Sequence, residues 1–295
     1  MSLHVLEAGV RTTVQDAGRI GHERNGVPRA GPADPVAFRA ALAIVGLDER
    51  SAAIEIVGLP FTFRCDGTRV IAATGPGVKL RARTRVPGWT AALVRSGEEV
   101  TVLGQARYAY LAVSGGIELR PVLGSFATYV PASIGPVPRP LRPGDELALG
   151  AAAGAERAGT RVEAPEYRGA VRALIGPHAA RFVPGAVAAF FREPFTVLEE
   201  SDRMGTRIAG PELRSEAPEI LTCGLVAGAV QVPRGGRPIV LGPDHQTTGC
   251  YPVLAVVAGV DLGRVAQTPP GESLRFGDVG RAEAVAALRR STSAA

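Results

Sequence analysis

The feature that most constrains the fold is punctuation. Thirty-seven glycines and 24 prolines are spread along 295 residues, and the segments between them are short and rich in Val, Ile, Leu, Thr and Phe. Glycine supplies positive φ and proline presets the first corner of a turn, so this spacing predicts many short strands joined by turns and few helices. Three segments repeat one design: Ser96-Gly97-Glu98-Glu99-Val100, Pro143-Gly144-Asp145-Glu146-Leu147 and Pro270-Gly271-Glu272-Ser273-Leu274-Arg275-Phe276. Each reads as a turn feeding a closing strand, and the last two fall near the ends of two β-rich halves of similar size.

The chain divides on this reading into a β-rich part over 1–150, a linker over 151–169, a second β-rich part over 170–280 and a tail over 281–295. The linker is assigned because GAAAGAERAGTRVEAPEYRG loses apolar periodicity and fills with alanine, glycine and charge. One helix is signalled by Asp34-Pro35, the apolar series Val36, Phe38, Ala41, Leu42 and Val45, and Gly46. A second helical stretch begins near Pro177-His178 and runs to Phe191 with a break at Pro184-Gly185; a third spans Arg281 to Arg290, with Ser291 to Ala295 expected to fray.

Composition removes several functional classes. With 46% hydrophobic and 21% charged residues the chain is neither disordered nor fibrous. No run approaches the ~20 apolar residues of a membrane span, and Met1-Ser2-Leu3-His4-Val5 lacks the regions of a signal peptide, so a cytoplasmic location without a membrane partner is expected. Net charge is +5, but the arginines are scattered and aromatics make up only 5%, which argues against nucleic acid. Cys65, Cys223 and Cys250 show no metal-type spacing and read as buried free thiols; no metal site is expected. The single lysine, Lys79, sits in Gly75-Pro76-Gly77-Val78-Lys79, which is not a P-loop, and no segment suits covalent biotin.

Two polar clusters lie between strand-like segments in the last third: Ser201-Asp202-Arg203-Met204-Gly205 and Asp244-His245-Gln246-Thr247-Thr248-Gly249-Cys250-Tyr251. Asp202 and Arg203, as neighbours, share a face only if a turn intervenes, and Met204-Gly205 supplies one. Arg203 then suits a carboxylate, phosphate or oxyanion, with Asp202 as base or orienter; the plainer reading is a solvated turn ion pair. Gln246, Thr247 and Thr248 offer an amide and hydroxyls suited to an amide or urea group, Asp244 is placed to orient His245, and His245 is the candidate proton carrier, although a lone histidine is more often structural. A third concentration, Thr12-Thr13-Val14-Gln15-Asp16 with Arg19, reads equally as turn chemistry. Glycine turns at Gly115-Gly116, Gly228 and Gly235-Gly236 are candidate phosphate cradles, or merely tight turns.

Taken in order, these motifs resemble a known family. The carriers are Gly9-Val10-Arg11-Thr12-Thr13-Val14-Gln15-Asp16-Ala17-Gly18-Arg19, Gly26-Val27-Pro28, Gly31, Asp34, Glu55, Thr74-Gly75 and Leu111-Ala112-Val113-Ser114-Gly115-Gly116-Ile117. They continue through Leu123-Gly124-Ser125, Thr128-Tyr129, the Ser201 cluster, Gly228-Ala229-Val230-Gln231-Val232-Pro233, Gly236-Arg237-Pro238-Ile239 and Asp244 to Pro252. The chain is similar over nearly its whole length to the family that holds the C-type component of 5-oxoprolinase, the second component of allophanate hydrolase and the carboxyltransferase region of urea amidolyase. The resemblance implies a mainly β fold with a few helices, built as two β-barrel domains of cyclophilin-like type. It also implies a homologous partner, of the B type in 5-oxoprolinase or the first component in allophanate hydrolase, and a further 5-oxoprolinase partner of the A type.

The function so implied is ATP-dependent opening of the 5-oxoproline lactam to glutamate, a hydrolase activity on a small cyclic amide that needs the partner subunits. ATP is expected from the resemblance, bound here or with the partner. Catalytic roles then fall to Asp202, Arg203, His245 and Gln246, and substrate contacts to Thr12, Thr13, Gln15, Asp16, Arg19, Asp244, Thr247, Thr248 and Tyr251. One alternative is a biotin-dependent urea carboxylase, with biotin on a separate carrier. Another is a non-catalytic module, since the family includes a protein that antagonises a sporulation-kinase inhibitor by pairing with it. Three positions depart from the family pattern: Gly77 stands where an acidic or amide residue is usual, Phe126 where arginine commonly follows Gly-Ser, and Cys250 replaces the second glycine of QTTGGYP.

Overall fold

The three glycine-acid segments fold as turns of one kind. In each, the acidic residue's N–H returns to the carbonyl three residues back, Glu98 to Arg95, Asp145 to Arg142 and Glu272 to Pro269. The central glycine has φ of +73°, +92° and +84° respectively, the corner where an L side chain is disfavoured. Each turn feeds a strand, Glu99–Leu103, Glu146–Ala148 and Ser273–Leu274.

The computed structural model describes residues 1–217 and 219–293. Two units are distinguished: Met1–Ile20 with Ala30–Pro165, and Gly21–Arg29 with the residues from Glu166 onward. The boundary differs from the expected one in two places. Residues 151–165 are no free linker, because Ala91 and Val162 exchange backbone bonds with Thr160 and Trp89, and the Arg157 guanidinium bonds the Ala43 carbonyl. The excursion Gly21–Arg29 groups with the second unit, which local sequence gives no sign of.

In the first unit a six-stranded antiparallel sheet has the order Glu146–Ala148, Ser2–Glu7, Phe61–Cys65, Glu99–Leu103, Lys79–Arg81, Arg85–Pro87. A second sheet runs Thr13–Gln15, Ala53–Ile56, Ala109–Val113, Arg69–Thr74, Ala91–Val94. Leu3, Phe61, Phe63 and Val100 of the first sheet share one core with Ile54, Ile71, Leu111 and Val113 of the second. The three central strands of the second sheet are buried at every position, because helix α1 (Pro35–Val45) covers their other face. Phe38 of α1 meets Tyr110 edge to face, and Thr74 Oγ1 donates to the Ala37 carbonyl.

Helix α1 starts and stops where its signals predict. Asp34 accepts a bond from Ala37 N at 3.1 Å, Pro35 occupies the first turn, and Gly46 closes the helix in the left-handed region. Asp34→Ala is expected to lower stability by about 1–2 kcal/mol; chemical denaturation of the full chain measures it, and an unchanged midpoint contradicts the cap.

The second unit is built on an eight-stranded sheet: Ser273–Leu274, Phe195–Val197, Gly205–Ala209, Ile239–Leu241, Ala229–Gln231, Val253–Val257, Val171–Ile175, Phe276–Asp278. Its two ends are halves of one segment, 273–278, divided at Arg275, so the sheet nearly closes into a barrel. Phe190 of helix α2 (Ala186–Arg192) stacks on Phe276 at 4.4 Å inside it. Helix α3 (Leu262–Gln267) escaped the sequence reading because six residues are too few to show a period. Helix α4 (Arg281–Ser293) continues past the point where fraying was expected; Ala294 and Ala295 lie outside the described residues. The architecture is thus mainly β with a few helices, as expected.

Candidate functional site

Two loops 41 residues apart in sequence meet because their strands are neighbours. The turn 201–204 enters strand Gly205–Ala209, the loop 242–246 leaves strand Ile239–Leu241, and Gly205 lies opposite Leu241. The loops stay zipped beyond the sheet, Asp244 N to Arg203 O and Gly242 N to Met204 O, each 3.0 Å. Gly242 is required there, since a Cβ would lie 2.3 Å from the Arg203 carbonyl oxygen.

This zipper seats a bidentate ion pair. Arg203 donates from Nε to Asp244 Oδ2 and from Nη2 to Oδ1, both 2.8 Å, with the two residues only 4% and 1% exposed. The expected arrangement, with Arg203 open to a substrate anion and Asp244 orienting His245, is therefore not what the loops adopt: Arg203 holds Asp244. Asp202 is exposed and its Oδ1 accepts from Met204 N at 2.9 Å and Gly205 N at 3.3 Å, which makes the turn that separates it from Arg203.

His245 Nδ1 stands 2.6 Å from the Gln246 carbonyl oxygen. A carbonyl only accepts, so Nδ1 carries the proton and Nε2 the lone pair. Burial holds the imidazole pKa below the usual histidine value; the bond to Gln246 and the charges of Asp244 and Glu23 oppose that shift without cancelling it. His245 is thus a neutral acceptor.

The rest of the loop folds over the outer face of the barrel. Val230 and Val240 point into the barrel core, while Ala229, Leu241 and Val253 form a separate apolar cluster under Leu225. Short strands Cys223–Gly224 and Thr248–Gly249 pair above it, and Leu225 N bonds the Thr247 carbonyl. Gln231, 1% exposed, donates from Nε2 to the Tyr251 carbonyl at 3.4 Å and accepts at Oε1 from Gln246 Nε2 at 3.2 Å. Gln246 and Thr248 are exposed; Thr247 and Tyr251 are half-buried.

The N-terminal cluster lies in the first unit, buried and internally bonded. Asp16 accepts from Gly18 N (2.9 Å), Ser125 Oγ (2.7 Å) and Phe126 N (2.6 Å). Arg19 donates to the Val122 and Ala127 carbonyls, Gln15 bridges Thr13, Thr128 and Gly31, and Thr12 donates to the Ala8 carbonyl. Gln15, Asp16 and Arg19 thus hold the 122–128 loop, and the Phe126 departure replaces a side chain on backbone that Asp16 already holds.

A family model described as carboxyltransferase domain, subdomain A and B, matches residues 25–278. The chain belongs to this family. Among carboxyltransferase-domain relatives, the C-type component of the 5-oxoprolinase of Escherichia coli (strain K12) is 36% identical over 280 residues, covering 93% of this chain and 90% of its own. Urea amidolyase of Saccharomyces cerevisiae is 31% identical over 309 residues, 93% of this chain but 16% of its own. The crystal structure of the K. lactis urea amidolyase matches with a TM-score of 0.91 at 26% identity, over 99% of this chain and 19% of that one. The chain therefore spans less than a fifth of the length of these urea amidolyases.

Within this carboxyltransferase domain one polar network escaped the sequence reading. Glu55 Oε2, 1% exposed, accepts from Ala33 N (2.9 Å) and Tyr110 Oη (2.8 Å), and Tyr110 Oη accepts from Asp34 N (2.7 Å). Burial, reinforced by the charges of Glu55 and Asp34, holds the Tyr110 phenol well above its ordinary value, so it remains a donor. The usable signal was a glutamate inside the apolar strand Ala-Ile-Glu-Ile.

Three of the turn glycines lie against their own fold. A Cβ on Gly115 would meet the Ala151 carbonyl at 2.5 Å, on Gly228 the Val257 carbonyl at 2.9 Å, and on Gly236 the Glu212 side chain at 2.5 Å, so these glycines permit close packing within the fold. All three cysteines are free, as expected; Cys65 is buried, which pushes its thiol up to about 12, whereas Cys223 and Cys250 are half-buried rather than buried. Among the described residues no helix is long and apolar enough to cross a membrane, and no group of acidic, histidine or cysteine side chains is arranged for a metal.

Proposed function

We propose that the chain is one component of a 5-oxoprolinase-type enzyme that opens the lactam of 5-oxoproline to glutamate with consumption of ATP. The observation that carries this reading is sequence identity, which is 36% to the C-type 5-oxoprolinase component of Escherichia coli over 93% of this chain and 31% to the urea amidolyase of Saccharomyces cerevisiae over the same share. The 5-oxoprolinase relative is named as a subunit, which supports a multi-chain assembly; the partners assigned to it here are a homologous one of the B type and a further one of the A type.

The loop 244–251 lines the substrate site. Gln246 presents its amide, and His245 Nε2 takes a proton from the group reacting beside it: water in lactam opening. Arg203 and Asp244 keep the loop in place. ATP is assigned to a partner, because Arg203 is occupied by Asp244 and three of the turn glycines, Gly115, Gly228 and Gly236, pack against their own fold.

The second reading, carboxyl transfer to a urea-type nitrogen, is favoured by the TM-score of 0.91 to the K. lactis urea amidolyase. There His245 Nε2 takes an N–H proton from urea, and the biotin rides on a separate carrier, since Lys79 is flanked by Val78 and Leu80 rather than by methionines.

The chain is co-expressed with its homologous and third partners, each is omitted in turn, and glutamate release from 5-oxoproline is followed with ATP present. Turnover is expected to vanish without this chain. A well-formed complex that turns over urea with carboxybiotin, and not 5-oxoproline, replaces the first reading by the second.

A further inference from the structure

We infer that Gln231 is a positioning residue that orients the Gln246 carboxamide so that its free edge docks a cis-amide, the adjacent N–H and C=O shared by lactams and cyclic ureas. The inference rests on the reading of 244–251 as the substrate loop.

The orientation follows from a chain of donors and acceptors that has one solution. The Tyr251 carbonyl accepts only, so the end of the Gln231 amide facing it is Nε2. The other end, Oε1, therefore faces Gln246, and Gln246 must answer with Nε2. One amide hydrogen of Gln246 is thus spent on Gln231. Its Oε1 and second amide hydrogen have no hydrogen-bond partner among the described residues, and the residue is exposed.

The fold keeps Gln231 from turning over. It is 1% exposed and sits at an irregularity in the ladder, where Val230 pairs with Ala255 but Gln231 with Val253. Gly249 closes the slot from above: a Cβ there would lie 2.8 Å from Leu225 Cδ1 and 2.9 Å from Gln231 Nε2. An inverted Gln231 would set its oxygen against the Tyr251 carbonyl oxygen.

A carboxamide edge with one acceptor and one donor matches the edge of a cis-amide atom for atom: Oε1 accepts the ligand N–H while the amide hydrogen donates to its carbonyl. A lactone places a ring oxygen where the N–H belongs and faces Oε1 with a second acceptor. Sites that bind a polar hydrogen reject the analogue lacking it far more strongly than they resolve size.

The assembled complex is titrated with 5-oxoproline and with its lactone analogue, 5-oxotetrahydrofuran-2-carboxylate, and separately with 2-imidazolidinone and ethylene carbonate, by ligand-observed NMR. The N–H member of each pair is expected to bind roughly tenfold or more tightly, and Gln246→Met to bring the ratio near one. Gln231→Met is expected to reduce the ratio similarly while thermal unfolding shows the barrel intact. Gln246 is exposed, so its variant keeps the question answerable if the buried one fails to fold. If 5-oxoproline is not bound but the cyclic-urea ratio collapses in the variants, the inference stands and the lactam reading falls. If 5-oxoproline binds and the ratio is unaltered by both variants, the inference falls and the lactam reading stands. Binding of neither series overturns the inference.

Discussion

Asp244→Ala is expected to cost about 3–5 kcal/mol of folding stability, a large share of the roughly 5–15 kcal/mol that holds a domain together. The replacement leaves the Arg203 guanidinium, 4% exposed, without the carboxylate that receives it at 2.8 Å through two nitrogens. An uncompensated charge in that setting must draw water in or pull the loops apart, and the zipped bonds between Asp244 N and Arg203 O and between Gly242 N and Met204 O go with it. Arg203→Ala strands Asp244 in the same way. Removing both charges together, as Arg203→Met with Asp244→Leu, is expected to be much milder than the sum, because two apolar side chains need no partner. The exposed pair Arg214–Glu212, with side chains 71% and 51% accessible, supplies the control: Glu212→Ala is expected to change little. Urea denaturation of the full chain reads all of these, and an Asp244→Ala midpoint indistinguishable from that of Glu212→Ala would overturn the account. One consequence concerns assays. Loss of turnover in Arg203→Ala reports collapse of the loop, so activity alone does not make Arg203 a ligand of substrate.

What was legible in the sequence was local. Glycine directly before an acidic residue marked the three matching turns, and Asp34, Pro35 and Gly46 marked both ends of α1, because a cap is satisfied by the residues beside it. The membership of 244–251 in one polar loop was visible for the same reason. What escaped depends on register. Asp202, Asp244, Glu199 and Glu200 are all acids near Arg203 in sequence or by motif, and only the pairing of Gly205 with Leu241 selects Asp244. Closure of the barrel by 273–278, the grouping of Gly21–Arg29 with the second unit, and the bond from Tyr110 to Glu55 are contacts between distant segments of the same kind. In the N-terminal cluster, Thr12, Thr13, Gln15, Asp16 and Arg19 have the composition of a binding site, and only the fold shows that they are buried and bonded within it.

His245→Gln is expected to lower the turnover of the assembled enzyme by about 10²–10⁴-fold, the usual contribution of a positioned proton acceptor, without a comparable loss of stability. The imidazole Nδ1–H is held by the Gln246 carbonyl at 2.6 Å, which leaves Nε2 as the acceptor, and burial keeps the ring neutral to lower pH than usual. Since only the neutral ring accepts a proton, kcat/KM is expected to be flat above about pH 6.5, the value for an unperturbed histidine, and to fall as pH drops through the lowered pKa. The stability linkage has the same sign. With the folded pKa below the unfolded one, the unfolded chain binds more protons in the interval between them, so stability from the neutral ring is present above about pH 6.5 and is lost as pH falls through the folded value. The two readouts separate the catalytic role from a structural one. In His245→Gln the acid limb of kcat/KM attributable to this ring should disappear along with the rate, while glutamine retains an N–H for the Gln246 carbonyl. A variant that loses stability but keeps the rate and the acid limb would make His245 a packing residue of the loop, and the proton would then have to leave by way of a partner chain.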